Sequence, residues 1–324
     1  MSKIFTKREN IQPYEYPHLI NYAKAIHASF WEVDHFTYEK DVKDFKVHLS
    51  DLERQVVERS MLAIGVVENK VKSFWSRIDQ RMPKTEISDV GYTFAGNEVI
   101  HRLTYEKLLN LLNLQDKFEH IMEVPAMADR VSYLNRYLDG LSSRSNKEFT
   151  KSLILFTLLV ENCSLFSQFL IVSSFGKYKN VLKNFSTVIN ATSREEILHG
   201  RFGSALINII KEENPEWFDQ EMEDKTRRAV RKAFNAELKV LDWIFEQGEL
   251  DFITKNEISE YLKSRLNDSL NQIGYENEYE VDEKLLEISN YMEVMTLATK
   301  DIDFFDGKST DYNKSNSYTE DSLW

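Results

Sequence analysis

Two segments of this 324-residue chain read Glu-x-x-His: Glu98-Val-Ile-His101 and Glu196-Ile-Leu-His199. On a helix, that spacing sets a carboxylate and an imidazole on one face, ready to grip a single cation. The motif occurs twice more, as Glu15/His18 and Glu32/His35. Pro17 interrupts the first, and the second lies in an irregular aromatic-rich region, so both are set aside as accidental. The two helical copies are each preceded by a solitary carboxylate, Glu68 thirty residues before Glu98 and Glu161 thirty-five residues before Glu196. Glu161 is the lone charge in the apolar stretch 152–176, and no basic residue lies between Lys151 and Lys177. A buried glutamate is ordinarily a paired structural charge; here the partner must come from far along the chain, and a metal ion is the most economical one. Together the set offers four carboxylates and two imidazoles, enough negative charge to balance two divalent cations.

Such a cluster needs helices to position it, and the chain has the makings of them. Only 10 Gly and 5 Pro in 324 residues leave few turn-formers for a sandwich or an α/β protein. Ser50-Asp51-Leu52-Glu53 has the form of a capping box, and helical periodicity follows it as far as Pro83. Further helices are expected over 94–120, 126–138, 181–211, 219–247, 255–272 and 281–298. The stretch 152–176 is apolar on nearly every face and reads as a helix surrounded by others. The fold class is therefore all-α: a helical bundle of one domain over 1–300, with an irregular start over 1–48. Residues 301–324 are polar, lack helical period and close on Leu323 and Trp324, which reads as a flexible tail with apolar residues available for docking.

A formal net charge of −12 and the lack of a basic stripe argue against binding nucleic acid or anionic lipid. One cysteine, Cys163, cannot form an internal disulfide. The N-terminal residues lack the apolar stretch of a secretory signal, and uninterrupted apolar runs fall short of the roughly 20 residues of a membrane span. A soluble, cytoplasmic protein is expected.

The order Glu68, Glu98-x-x-His101, Glu161, Glu196-x-x-His199 resembles the radical-generating small subunit of class I ribonucleotide reductase, a ferritin-like family with a dinuclear metal site. The likeness runs from about Phe30 to Phe202. It implies that these six residues are the metal ligands and that Tyr105, one turn beyond His101, is the radical tyrosine. It also implies that Trp31, in Ser-Phe-Trp-Glu-Val-Asp, relays an electron hole out of the site. Glu195 stands at the position of the acidic residue that joins that tryptophan to a metal-bound histidine. Tyr312 or Tyr318 would be the last relay in the tail. By resemblance the chain is a homodimer that works only with a large subunit, docked through the C-terminal tail.

One residue departs from the iron-using, tyrosyl-radical members: the first ligand is usually aspartate, and here it is Glu68. This resembles members whose oxidant stays on a manganese-containing centre. Two Mn are favoured on that ground, with Mn/Fe or two Fe as alternatives, and an activating flavoprotein stays open as a further partner. The competing readings are another ferritin-like dimetal oxidase or desaturase, acting without a large subunit, and a metal storage protein forming a large cage.

Overall fold

The computed structural model describes residues 3–136 and 139–292, and every regular element among them is a helix. The capping box at the start of α3 (Asp51–Trp75) forms: the Ser50 N–H donates to Glu53 Oε2 at 2.8 Å and the Glu53 N–H to Ser50 Oγ at 3.3 Å. α3 stops at Trp75 rather than running to Pro83. One tight turn, Ile78–Gln80, leads into α4 (Thr85–Leu111). The two helices meet closely at Gly91, where a Cβ would lie 2.4 Å from Ile78 Cγ2 and 2.8 Å from the Trp75 carbonyl oxygen. α4 begins nine residues earlier than its periodicity suggests, with the side chain of its second residue anchored by distant groups. Glu86 accepts the backbone N–H groups of Glu15 and Tyr16 and the Arg8 guanidinium. It ends at Leu111, and Asn113 in the left-handed region (φ 58°) separates it from the short α5 (Gln115–Glu119).

The N-terminal region is less irregular than expected, since it contains α1 (Ile20–Ala28) and α2 (Glu39–Lys43). Both are too short for periodicity to announce them. After α6 (Pro125–Asn135), the central apolar helix starts at Asn146 and continues to Lys179 as α7 (Asn146–Leu155), a wide π-helical stretch (Phe156–Ser164), α8 (Phe166–Ser174) and a second wide turn. All residues from 156 to 175 are buried. The helix is long and apolar enough to cross a membrane, yet 94% of its most apolar window is covered by neighbouring helices. Its composition thus reflects a place at the centre of the bundle.

α9 (Lys183–Glu213) lies against this central helix at unusually short range. A Cβ on Gly200 would lie 2.4 Å from Asn162 Oδ1, and one on Gly203 would lie 2.2 Å from Thr157 Oγ1. The start of α9 is held by side chains from the N-terminal segment. Fully buried Asp41 accepts the N–H groups of Asn184 (2.8 Å) and Phe185 (3.1 Å), and Asp44 accepts that of Leu182 (3.2 Å). α10 (Gln220–Ile244) and α11 (Lys255–Gln272) pack behind, the latter opened by a Thr254/Glu257 capping box. Of the helix expected over 281–298, the described residues show the single turn α12 (Glu283–Leu286), a tight turn at Glu287–Ser289 and helical backbone again over 290–292, and 293–298 lie outside them. The tail over 301–324, with Tyr312 and Tyr318, lies outside the described residues.

Replacing a helix-interior glycine by alanine normally gains about 1 kcal/mol. At Gly203 the new methyl overlaps Thr157, and overpacking costs about 1–3 kcal/mol. Gly203→Ala is therefore expected to lower the melting temperature. Thr157→Ala in the same chain should restore part of the loss; equal losses in single and double variants would show that Thr157 is not the obstruction.

Candidate metal centre

The four helices bring all six predicted ligands to one place. Glu68 comes from α3, Glu98 and His101 from α4, Glu161 from the π-helical stretch, and Glu196 and His199 from α9. Each is at most 1% exposed. His199 Nδ1 lies 3.0 Å from Glu98 Oε1, 3.5 Å from Glu196 Oε2 and 3.6 Å from Glu161 Oε2. His101 Nδ1 lies 2.9 Å from Glu196 Oε1 and 3.5 Å from Glu98 Oε2. Glu98 and Glu196 therefore stand between the imidazoles, with Glu68 at the His101 end and Glu161 at the His199 end. These six side chains would hold two cations.

Most polar atoms of the cluster have no other use. Both oxygens of Glu68, Glu98 and Glu196, Oε2 of Glu161, Nδ1 of His101 and both ring nitrogens of His199 lack a well-formed hydrogen bond. Among the described residues, no lysine or arginine forms an ion pair with any of the six. Elsewhere in the same protein a buried carboxylate looks different. Glu237, fully buried, accepts Arg130 Nε at 2.9 Å and the Tyr133 hydroxyl at 2.6 Å. An uncompensated buried charge costs several kcal/mol, and four would rival the whole stability of about 5–15 kcal/mol typical of a folded protein. Oxygen and imidazole donors in this number fit two first-row divalent ions.

The titration behaviour follows from the same crowding. Burial, and then the neighbouring carboxylates, push Glu68 well above the usual carboxylate range despite His101; burial and Glu196 do the same to Glu161. Burial works against charge on Glu196, yet the adjacent His101 and His199 imidazoles outweigh it and hold Glu196 low. Burial opposes charge on both imidazoles, yet the surrounding carboxylates raise them well above an ordinary histidine. Protons and cations compete for the same lone pairs.

The wide turn accounts for Glu161. Each α-helical residue advances about 100° around the axis, so a π-helical insertion rotates the following side chains relative to an ordinary helix, a device common at functional sites. Arg265 stabilises the stretch by donating from Nε to the Asn162 carbonyl at 2.9 Å. The sequence reasoning missed Trp75, whose indole N–H donates to Glu161 Oε1 at 2.8 Å. Its signal was its position seven residues after Glu68, two turns along the same face. Phe94, with its ring centre 4.1 Å from that of His199, closes this end.

The other end opens outward through a polar chain. Glu195 Oε2 accepts from Trp31 Nε1 at 3.0 Å and lies 2.7 Å from His101 Nε2, and the Trp31 and His101 rings are nearly parallel at 5.9 Å. Tyr105 is 1% exposed, and burial followed by the charge of Glu68 pushes its hydroxyl well above the usual tyrosine range. Of the motifs set aside, Glu15 pairs with Lys84, and His35 accepts the Glu32 N–H. Neither joins the cluster.

A family profile described as "Ribonucleotide reductase, small chain" matches residues 8–285. A probable ribonucleoside-diphosphate reductase small subunit of Invertebrate iridescent virus 3 is 23% identical over 99% of this chain and 88% of its own length. The ribonucleoside-diphosphate reductase subunit beta of Chlamydia pneumoniae is 23% identical over 88% and 84%. In fold, the chain is similar to the ribonucleotide reductase R2 subunit from Clostridium botulinum, with TM-score 0.78 and 17% identity over 87% of this chain and 89% of that one. It is also similar to a dimanganese(II) protein, NrdF, of Streptococcus sanguinis, with TM-score 0.76 and 14% identity over 90% and 100%. With a matched profile spanning most of its length and a ferritin-like helical core, the chain belongs to the ribonucleotide reductase small-chain family.

Proposed function

We propose that this chain is the subunit of ribonucleoside-diphosphate reductase that holds a one-electron oxidising equivalent and exchanges it with a large subunit, where ribonucleotides are reduced. The observation that carries the reading is the shared oxygen of Glu195, which links Trp31 to His101. A storage protein has no need of such a connection, nor does a self-contained oxidase. Glu68, Glu98, His101, Glu161, Glu196 and His199 would hold two metal ions, which supply the redox chemistry when bound.

The protein's own residues do the rest. Glu195 fixes the orientation of His101 through Nε2, leaving Nδ1 for the centre. When Trp31 gives up an electron, the indole nitrogen carrying its proton lies 3.0 Å from a carboxylate oxygen, so electron and proton need not separate over a long distance. The covering of helices leaves Tyr105 and the six cluster residues at most 1% exposed, which limits their contact with water. Tyr312 or Tyr318 continues the relay within a docking tail over 301–324 that follows the body over 1–300.

Two manganese ions are the preferred occupants, with Mn/Fe or two Fe as alternatives. Support comes from Glu68 at the first position and from the likeness to the dimanganese protein of Streptococcus sanguinis. An activating flavoprotein would accompany the manganese form. A homodimer is supported by an exposed apolar stripe on α4, formed by Tyr92, Val99 and Leu103 around Gly96, above which lies open space.

Glu161→Ala is expected to lose metal, measured by elemental analysis, while keeping its helical circular dichroism; full occupancy would remove Glu161 from the ligand set. Removing residues 305–324 should leave metal content intact and abolish turnover with the large subunit, and a truncated chain that still turns over contradicts the docking role. Electron paramagnetic resonance on protein from its native host should show a coupled manganese signal. A tyrosyl signal would place the stored equivalent on Tyr105, and an iron-only centre would overturn the manganese assignment.

A further inference from the structure

A cluster whose six members are at most 1% exposed must be filled through some opening. One cleft, of about 300 Å³, has a member of the cluster in its wall. It lies between α3, α4 and α5, and its floor is Glu68 and Tyr105, whose carboxylate and hydroxyl oxygens are buried and lack hydrogen-bond partners. Its throat is Gly65, Leu109 and Phe118. A Cβ on Gly65 would lie 3.0 Å from Phe118 Cε2 and 3.2 Å from Leu109 Cδ1, so only glycine leaves this passage its present width. Around the mouth stand the exposed side chains of Glu106, Asn110, Gln115 and Glu119.

We propose that this cleft is the loading route by which a hydrated divalent cation reaches the Glu68 end of the centre. The inference rests on the reading that the cluster binds two such ions. From mouth to floor the passage offers oxygen donors: carboxylates, side-chain amides, a phenol and then the buried carboxylate. Hard divalent ions exchange water for donors of this kind. Arg102 also lines the cleft, but its guanidinium is held by Glu106 at 2.7 Å, and Glu119 adds an acidic group at the mouth. The field therefore favours a cation over an anion. The apolar stripe of α4 stops at Leu103, and the face turns polar from Glu106 onward, as a water-filled approach requires. The larger cleft elsewhere, between α1, α9 and α11, reaches Asn162 but has none of the six in its wall.

The test follows uptake of Mn(II) by the full-length metal-free chain, read as loss of the aqueous Mn(II) paramagnetic resonance signal. Glu119→Lys reverses a charge at the mouth, Gln115→Trp obstructs it, and Ser264→Trp obstructs the larger cleft. The first two should slow uptake, Glu119→Lys by on the order of tenfold at low ionic strength, the lower end of electrostatic steering effects. Both should still reach two ions per chain, and Ser264→Trp should match the unaltered protein. Added salt should narrow the gap between Glu119→Lys and the unaltered chain. Unchanged rates in both mouth variants, or slowing only in Ser264→Trp, would overturn the route. Fewer than two ions on the unaltered chain at saturation would overturn the metal-centre reading itself. Glu119 is exposed, so its variant keeps the question answerable if Gln115→Trp fails to fold.

Discussion

The structure turns on one electrostatic demand: four carboxylates withdrawn from water need positive charge, and among the described residues no lysine or arginine pairs with them. The protein satisfies the same demand conventionally at Glu237, with an arginine and a tyrosine, so the omission at the centre is specific to that site. Two divalent ions would meet it at once, with Glu98 and Glu196 standing between the imidazoles and Glu68 and Glu161 at the two ends to hold them. Much of the rest of the fold serves to hold these groups against their mutual repulsion. The glycines of α9 bring two helices into near backbone contact, the wide turn aims Glu161, and Trp75 fixes it from the side.

The centre is asymmetric in a way that gives it direction. His199 is enclosed by aromatic rings and its Nε2 has no partner, whereas His101 is tied through Glu195 to Trp31 in the N-terminal segment. That segment is anchored onto the same helix that carries Glu195, because Asp41 and Asp44 satisfy backbone donors at the start of α9. A hydrogen bond between residues 164 apart in sequence thus rests on a second set of bonds about three helical turns away.

The cluster was legible because its residue types are costly to bury and its spacing repeats. Glu98/His101 and Glu196/His199 report helical phase directly, and Glu161 stands out against an apolar stretch. The all-helical class followed from scarce glycine and proline, and α11 matched its expected range. What escaped was set by tertiary contacts. α4 extends back past residue 94 to where Glu86 is anchored by groups seventy residues away, and α3 stops short of Pro83 where the corner at Gly91 closes. The π-helical stretch leaves no trace in an evenly apolar sequence, since periodicity is silent when every face is buried. Trp75 was passed over because a tryptophan in a core helix seldom needs explanation, and Asp41 because its acceptors serve a helix end far along the chain.

The central helix also has a consequence for how the chain reaches its native state. As the polypeptide is synthesised, residues 146–179 emerge while α9, α10 and α11, which later cover much of them, are still to be made. For that interval a rod apolar enough to be mistaken for a bilayer span is shielded only by the earlier helices. Docking against α3, which is made earlier, is the native contact that can shield it in that interval.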